Sequence, residues 1–124
     1  MTLPVNRPLN IERVYAHNID QSTAGSSFTV ASMRGKIVLI GCVVHVAVTS
    51  APNVLTAKIA GTLITTPTWT ATATAGTGGT AGDVIEVVPT GANFVAAGQN
   101  IEFISDGAGS STVPCTYYAD ILMG

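Results

Sequence analysis

The sequence predicts an all-β protein, a β-sandwich or small barrel of about eight to ten short antiparallel strands. Three observations predict it. Turn-forming residues recur about every 8–12 residues along the chain. Apolar residues alternate with polar ones in short runs, and no segment carries the 3.6-residue period of an amphipathic helix. The most apolar run, KIVLIGCVVHVAV at Lys36–Val48, is rich in β-branched residues and is followed by the turn formers Ser50, Ala51, Pro52 and Asn53.

The elements follow in order. Residues 1–10 (MTLPVNRPLN) form an extended arm, because Pro4 and Pro8 disfavour helix. They contain no apolar core of the kind a signal peptide needs. Residues 11–124 form a single β-sandwich domain. Ile11–His17 is a strand, and the polar stretch Asn18–Ser26 is a loop. Ser27–Ser32 alternates, with Phe28 and Val30 on one side and Ser27 and Thr29 on the other. In Lys36–Val48, period two places Val38, Ile40, Cys42, Val44, Val46 and Val48 on one face. Ile37, Leu39, Gly41, Val43, His45 and Ala47 fall on the other. Both faces are apolar, whereas a strand of an antiparallel sandwich usually wets one. The second face therefore calls for cover from a loop, the arm or a neighbouring subunit. Val54–Ala60 alternates, with Leu55, Ala57 and Ile59 facing one way. Short Thr-rich strands at Thr62–Thr66 and Trp69–Thr74 flank Pro67, and Ala75–Asp83 is a glycine loop. Strands at Val84–Val88 and Asn93–Val95 come next. Gln99–Asp106 turns Ile101 and Phe103 to one face, Asp106–Gly107 makes a turn, and Pro114–Met123 closes the domain.

Charge is sparse. Only 10% of the 124 residues are charged, five basic and seven acidic, for a net charge of −2. A globular domain typically carries about 25%. That excludes a dedicated nucleic-acid binder, which needs a basic face. Seventeen Thr, sixteen Ala, fourteen Val and thirteen Gly stand in place of the charge, which points to a surface sealed in an assembly. The longest apolar run holds Gly41 and His45 and is too short to cross a membrane as a helix.

Little in the chain carries chemistry. The G-x-G-x-x-A at Gly76, Gly78 and Ala81 has no helix signal after it, so it does not bind a nucleotide. His17 and His45 are the only histidines, and Cys42 and His45 lie on opposite faces of a strand, so no metal site forms. No G-x-S-x-G nucleophile pattern exists. The carboxylates show no pairing of the kind a glycosidase needs. No catalytic residue and no cofactor is expected. Cys42 and Cys115 are two buried thiols or a disulfide between two strands; their separation in sequence leaves both open.

The order of segments carries a resemblance. A turn leads into RGKIVLIGCVVHVAV; VLTAKIAGTLITT, a Thr/Ala/Gly loop, GDVIEVVPTGANFVAAGQNIEFISDGAGSS and an apolar last strand follow. Over Gly35–Met123 this resembles small bacteriophage virion proteins that decorate or cement the capsid. The stretch V-x-x-G-x-x-I-E-x-x-S-D-G-x-x-S-S at Val95–Ser111 is the most telling part. The resemblance implies a jelly-roll sandwich, often trimeric, on the exterior of a capsid assembled in the host cytoplasm. Its partner would be the major capsid protein, and it would have no enzymatic activity. On that reading Pro4, Arg7, Pro8, Arg13 and Arg34 are candidates for capsid contact, the arginines pairing with carboxylates. Ile37, Leu39, Val43 and His45 are candidates for the subunit interface. Similar stretches occur in phage head-fibre proteins, so a head-fibre or tail-fibre type adhesion module binding host surface glycans is the alternative.

Overall fold

A computed structural model describes residues 10–124. Ten strands and no helix occur among them: β1 (Ile11–Asn18), β2 (Gly25–Val30), β3 (Gly35–Val44), β4 (Asn53–Ile59), β5 (Thr62–Leu63), β6 (Thr70–Ala71), β7 (Val84–Val87), β8 (Phe94–Val95), β9 (Asn100–Ser105) and β10 (Cys115–Met123). All pairings are antiparallel. They build two five-stranded sheets. The first runs β1-β10-β3-β7, with β8 also on β3; the second runs β2-β9-β4-β5, with β6 also on β4. The predicted arm falls almost wholly on residues 1–9, outside the described residues.

The core lies between the sheets and follows the alternation of β4, β9 and β10. Leu55, Ala57 and Ile59 point inward from β4, and Ile101 and Phe103 from β9, as expected. Tyr117, also fully buried, stacks on Phe103 at 5.1 Å between ring centroids and meets Trp69 edge-on at 6.1 Å. Trp69 donates from Nε1 to the Ile85 carbonyl at 3.0 Å, which satisfies the one polar atom its burial would otherwise strand.

Two expectations are corrected. The long apolar run stops being a strand at Val44. Beyond it the chain bends, and Val48 returns to the core. Within β3, the register against β10 slips: Asp120 faces Leu39 while Ile121 faces Ile37. Val38 is the extra residue of a β-bulge, so the side-chain parity reverses there. Ile37 therefore joins Ile40, Cys42 and Val44 in the core, fully buried, and is not a surface residue for a subunit interface. Asn93 supports the bulge. Its Nδ2 donates to the Ile37 carbonyl at 2.7 Å, and its own carbonyl accepts from the Ile37 N–H at 2.8 Å.

The residues of β2 alternate as expected, and it is Ser27 that faces inward while Phe28 and Val30 are exposed. Of the two Thr-rich strands, only Thr62–Leu63 and Thr70–Ala71 pair, around the break at Pro67. The glycine loop leads into β7, with no helix, as the sequence suggests.

Candidate functional site

The outer face of the first sheet gathers the largest set of distinctive side chains. Arg13 on β1 pairs with Asp120 on β10 through two bonds, Nε to Oδ1 at 2.6 Å and Nη2 to Oδ2 at 2.9 Å. The same guanidinium sits 4.1 Å from the centroid of the Tyr118 ring. The Tyr118 hydroxyl donates to the Glu86 carboxylate on β7. Burial, and then the bond to Glu86, push the Tyr118 hydroxyl above its ordinary value. The Asp120 bond raises Arg13 further, so this cation stays charged at any relevant pH. Tyr118 is 3% exposed although it lies on the outer side of its sheet. It covers Gly41 of β3, where a side chain would collide with the ring. The cover that the second apolar face of β3 requires is thus supplied in part by the chain itself.

Beside this stack, Leu39 and Val43 remain half-buried and His45 is exposed. His45 Nε2 lies 3.0 Å from Thr116 Oγ1, and its ring centroid is 6.4 Å from that of His17. Leu39, Val43 and His45 are therefore brought to one surface, while Ile37 is not. Arg13 is committed to Asp120 and Tyr118. Pro4, Arg7 and Pro8 lie outside the described residues.

Arg34 is exposed at the far end of the sheet, where it borders an open depression with Phe94, Val95, Gln99 and Gly124. Phe94 is 74% exposed and was not singled out from the sequence. Nor were Tyr118, Glu86 and Asp120. Gly41 within the strongest strand is the sequence signal that something lies close above it.

The interior holds a polar group of its own. Gln21 is fully buried, and its Nε2 is 3.5 Å from the sulfurs of both Cys42 and Cys115. Asn53, also fully buried, donates to Gln21 Oε1 at 3.2 Å, and Ser105 Oγ donates to the Gln21 carbonyl at 2.6 Å. Both cysteines are free and buried. Desolvation pushes the Cys42 thiol up to about 12 and the Cys115 thiol to about 11.

Three aspartates cap loops at the opposite end. Asp83 Oδ2 accepts from the N–H groups of Gly76, Gly78 and Thr80 at 2.8–3.0 Å, which closes the glycine loop. Asp20 accepts from Ser22 N, Val113 N and the Thr23 hydroxyl. Asp106 accepts from Val54 N and Ala108 N. These bonds hold Asp20 and Asp83 below the usual carboxylate range. Among the described residues no three His, Cys, Asp or Glu side chains group to hold a metal ion, and no helix is long and apolar enough to cross a membrane.

No protein-family model matches the chain, and neither does any curated protein or solved structure.

Proposed function

We propose that the chain is a structural virion protein of jelly-roll type, which binds the outer surface of a phage capsid and stabilises it as a homotrimer. The strand order carries this reading. Leaving aside the short strands β6 and β8, the pairs β1–β10, β2–β9, β3–β7 and β4–β5 nest one inside another. Such nesting is what a long antiparallel hairpin rolled into two four-stranded sheets would give, and it supports the jelly-roll reading. Such a fold suits a protein that works by surface area and main-chain edges.

The surface supports an assembly role. Twelve large apolar side chains are exposed among the described residues, as many as the charged residues of the whole chain. Leu39, Val43 and His45 lie beside exposed Tyr15 and Val84 on the first sheet, a strip suited to a sister subunit. The titratable groups with displaced values sit in the core, in loop caps or in the Arg13–Tyr118 stack, which favours a holding role over catalysis.

Light scattering on the purified chain tests the proposal. The expected mass is that of a trimer, near three times 12.6 kDa. A monomer that binds host glycans saturably on an array would replace this reading with the adhesion module.

A further inference from the structure

We infer that the end of the sandwich around Phe94 docks an acidic peptide segment of a partner protein, with one apolar side chain of that segment seated beside the ring. The inference goes beyond the capsid reading and does not require it.

Phe94 is a held anchor rather than a loose loop residue. Its neighbour Asn93 is 3% exposed and is tied to both backbone groups of Ile37; its other neighbour, Val95, is 3% exposed in the core. The ring between them projects outward at 74% exposure from a pairing with β3. With the backbone already fixed, only the ring's own rotamers are ordered on binding, which lowers the entropic cost of using it as an anchor.

Open depressions flank the ring. One is bordered by Arg34, Val95, Ala96, Gln99 and Gly124, the other by Ile59, Ala60, Thr62 and Ala92. Gln99 lines both, and its Oε1 accepts from Ala96 N at 2.8 Å, which fixes the amide. Ala60 and Ala92 on the second depression have φ of 47° and 51°. Left-handed backbone is disfavoured at a non-glycine residue, and such strain clusters at binding sites.

Charge selects the partner. Lys36 Nζ lies 6.0 Å from the Phe94 centroid, and exposed Arg34 borders the first depression. Among the described residues the one ion pair is Arg13–Asp120, so neither cation is paired with a carboxylate. No Asp or Glu side chain lines either depression; the main-chain carboxylate of Gly124 borders the first but forms no ion pair with Arg34 or Lys36. The carboxylates of Asp20, Asp83 and Asp106 are occupied by their own loops at the other end. An approaching acidic segment therefore meets two free cations beside an apolar anchor. The cations set its sign and on-rate and the ring sets its residence time.

A random-peptide library selected on the full chain, with subtraction on Phe94→Ala, tests this. The ring is exposed, so the variant keeps the fold, which its amide spectrum verifies. The expected sequences are rich in Asp and Glu around a Leu, Met or Phe. The best of them, added to labelled protein, should shift the amides of Arg34, Lys36, Ala96 and Gln99 saturably. Affinity should drop at least about tenfold in Phe94→Ala and in the Arg34→Glu, Lys36→Glu double variant. No enrichment over Phe94→Ala, enrichment of basic sequences, shifts centred elsewhere, or equal displacement by a heparin fragment would each overturn it.

Discussion

The ring of Tyr118 lies over Gly41, so close that a Cβ on residue 41 would stand 2.5 Å from both its Cζ and its hydroxyl oxygen. An aromatic laid across a strand glycine restores the packing that the missing side chain forfeits. Gly41→Ala must push the ring away and loosen its contacts with Arg13 and Glu86. The expected cost is about 1–3 kcal/mol, read as a lower urea midpoint. In the Gly41→Ala, Tyr118→Ala double variant the two costs should fail to add, because the second change removes the collision created by the first. Wild-type stability of Gly41→Ala would show that the ring moves freely.

Gln21 and the two thiols give a second prediction. Removing water disfavours the thiolate, so Cys42 and Cys115 titrate near 12 and 11. Both should be silent to a thiol reagent at about pH 8 in the folded protein and react fully in urea. Gln21→Ala deletes the amide that bonds both sulfurs and leaves Asn53 short of a partner. It should destabilise the fold by about 1–3 kcal/mol and bring the thiol reaction into view under milder denaturant. Rapid reaction of native wild-type protein would contradict the buried placement.

Much of this fold was legible because alternation and turns are local. Leu55, Ala57 and Ile59, or Ile101 and Phe103, needed only period two and a bounding turn. The reversal at Val38 was not legible, since a bulge depends on how β3 meets β10 and on Asn93, far along the chain. For β2, alternation separates Phe28 and Val30 from Ser27 but does not say which set turns inward; Ser27 does, and the apolar pair is left outside. The surface was least legible. Arg13 and Arg34 look alike in the sequence, yet one is locked against Asp120 and Tyr118 while the other is free at the Phe94 end.

Acid should unfold the loops' end of the sandwich through two named groups. Asp20 is lowered chiefly by the Val113 N–H, with help from Thr23 and Ser22; Asp83 is lowered chiefly by the Gly78 N–H, with help from Thr80 and Gly76. A carboxylate whose folded value is depressed adds stability that is present above its unfolded value of about 3.9. That stability is lost as pH falls below this value toward the folded one. The melting temperature should therefore hold above about pH 4 and fall below it. Asp83→Asn keeps one acceptor oxygen but not the charge. It should lower the plateau and flatten the acid limb, and an acid limb identical to wild type would remove Asp83 from the account.

The connection between β4 and β5 consists of Ala60 and Gly61, both at positive φ, 47° and 89°. With Ile59 opposite Thr62 this is a two-residue hairpin turn whose twist matches its strands. The first position favours Asn, Asp or Gly, because an alanine there sets its Cβ against the following carbonyl. Ala60 is exposed, so a larger polar side chain has room. Ala60→Asn should therefore stabilise the protein by about 0.5–1 kcal/mol, seen as a higher urea midpoint with an unchanged slope. The same variant separates two reasons for keeping alanine there. If stability rises and selected acidic peptides still bind, the strain at residue 60 is incidental to the neighbouring depression. If stability rises while binding falls, the small side chain is what leaves that depression open beside Phe94. Lower stability would mean that Ala60 packs against its surroundings more than its exposure implies.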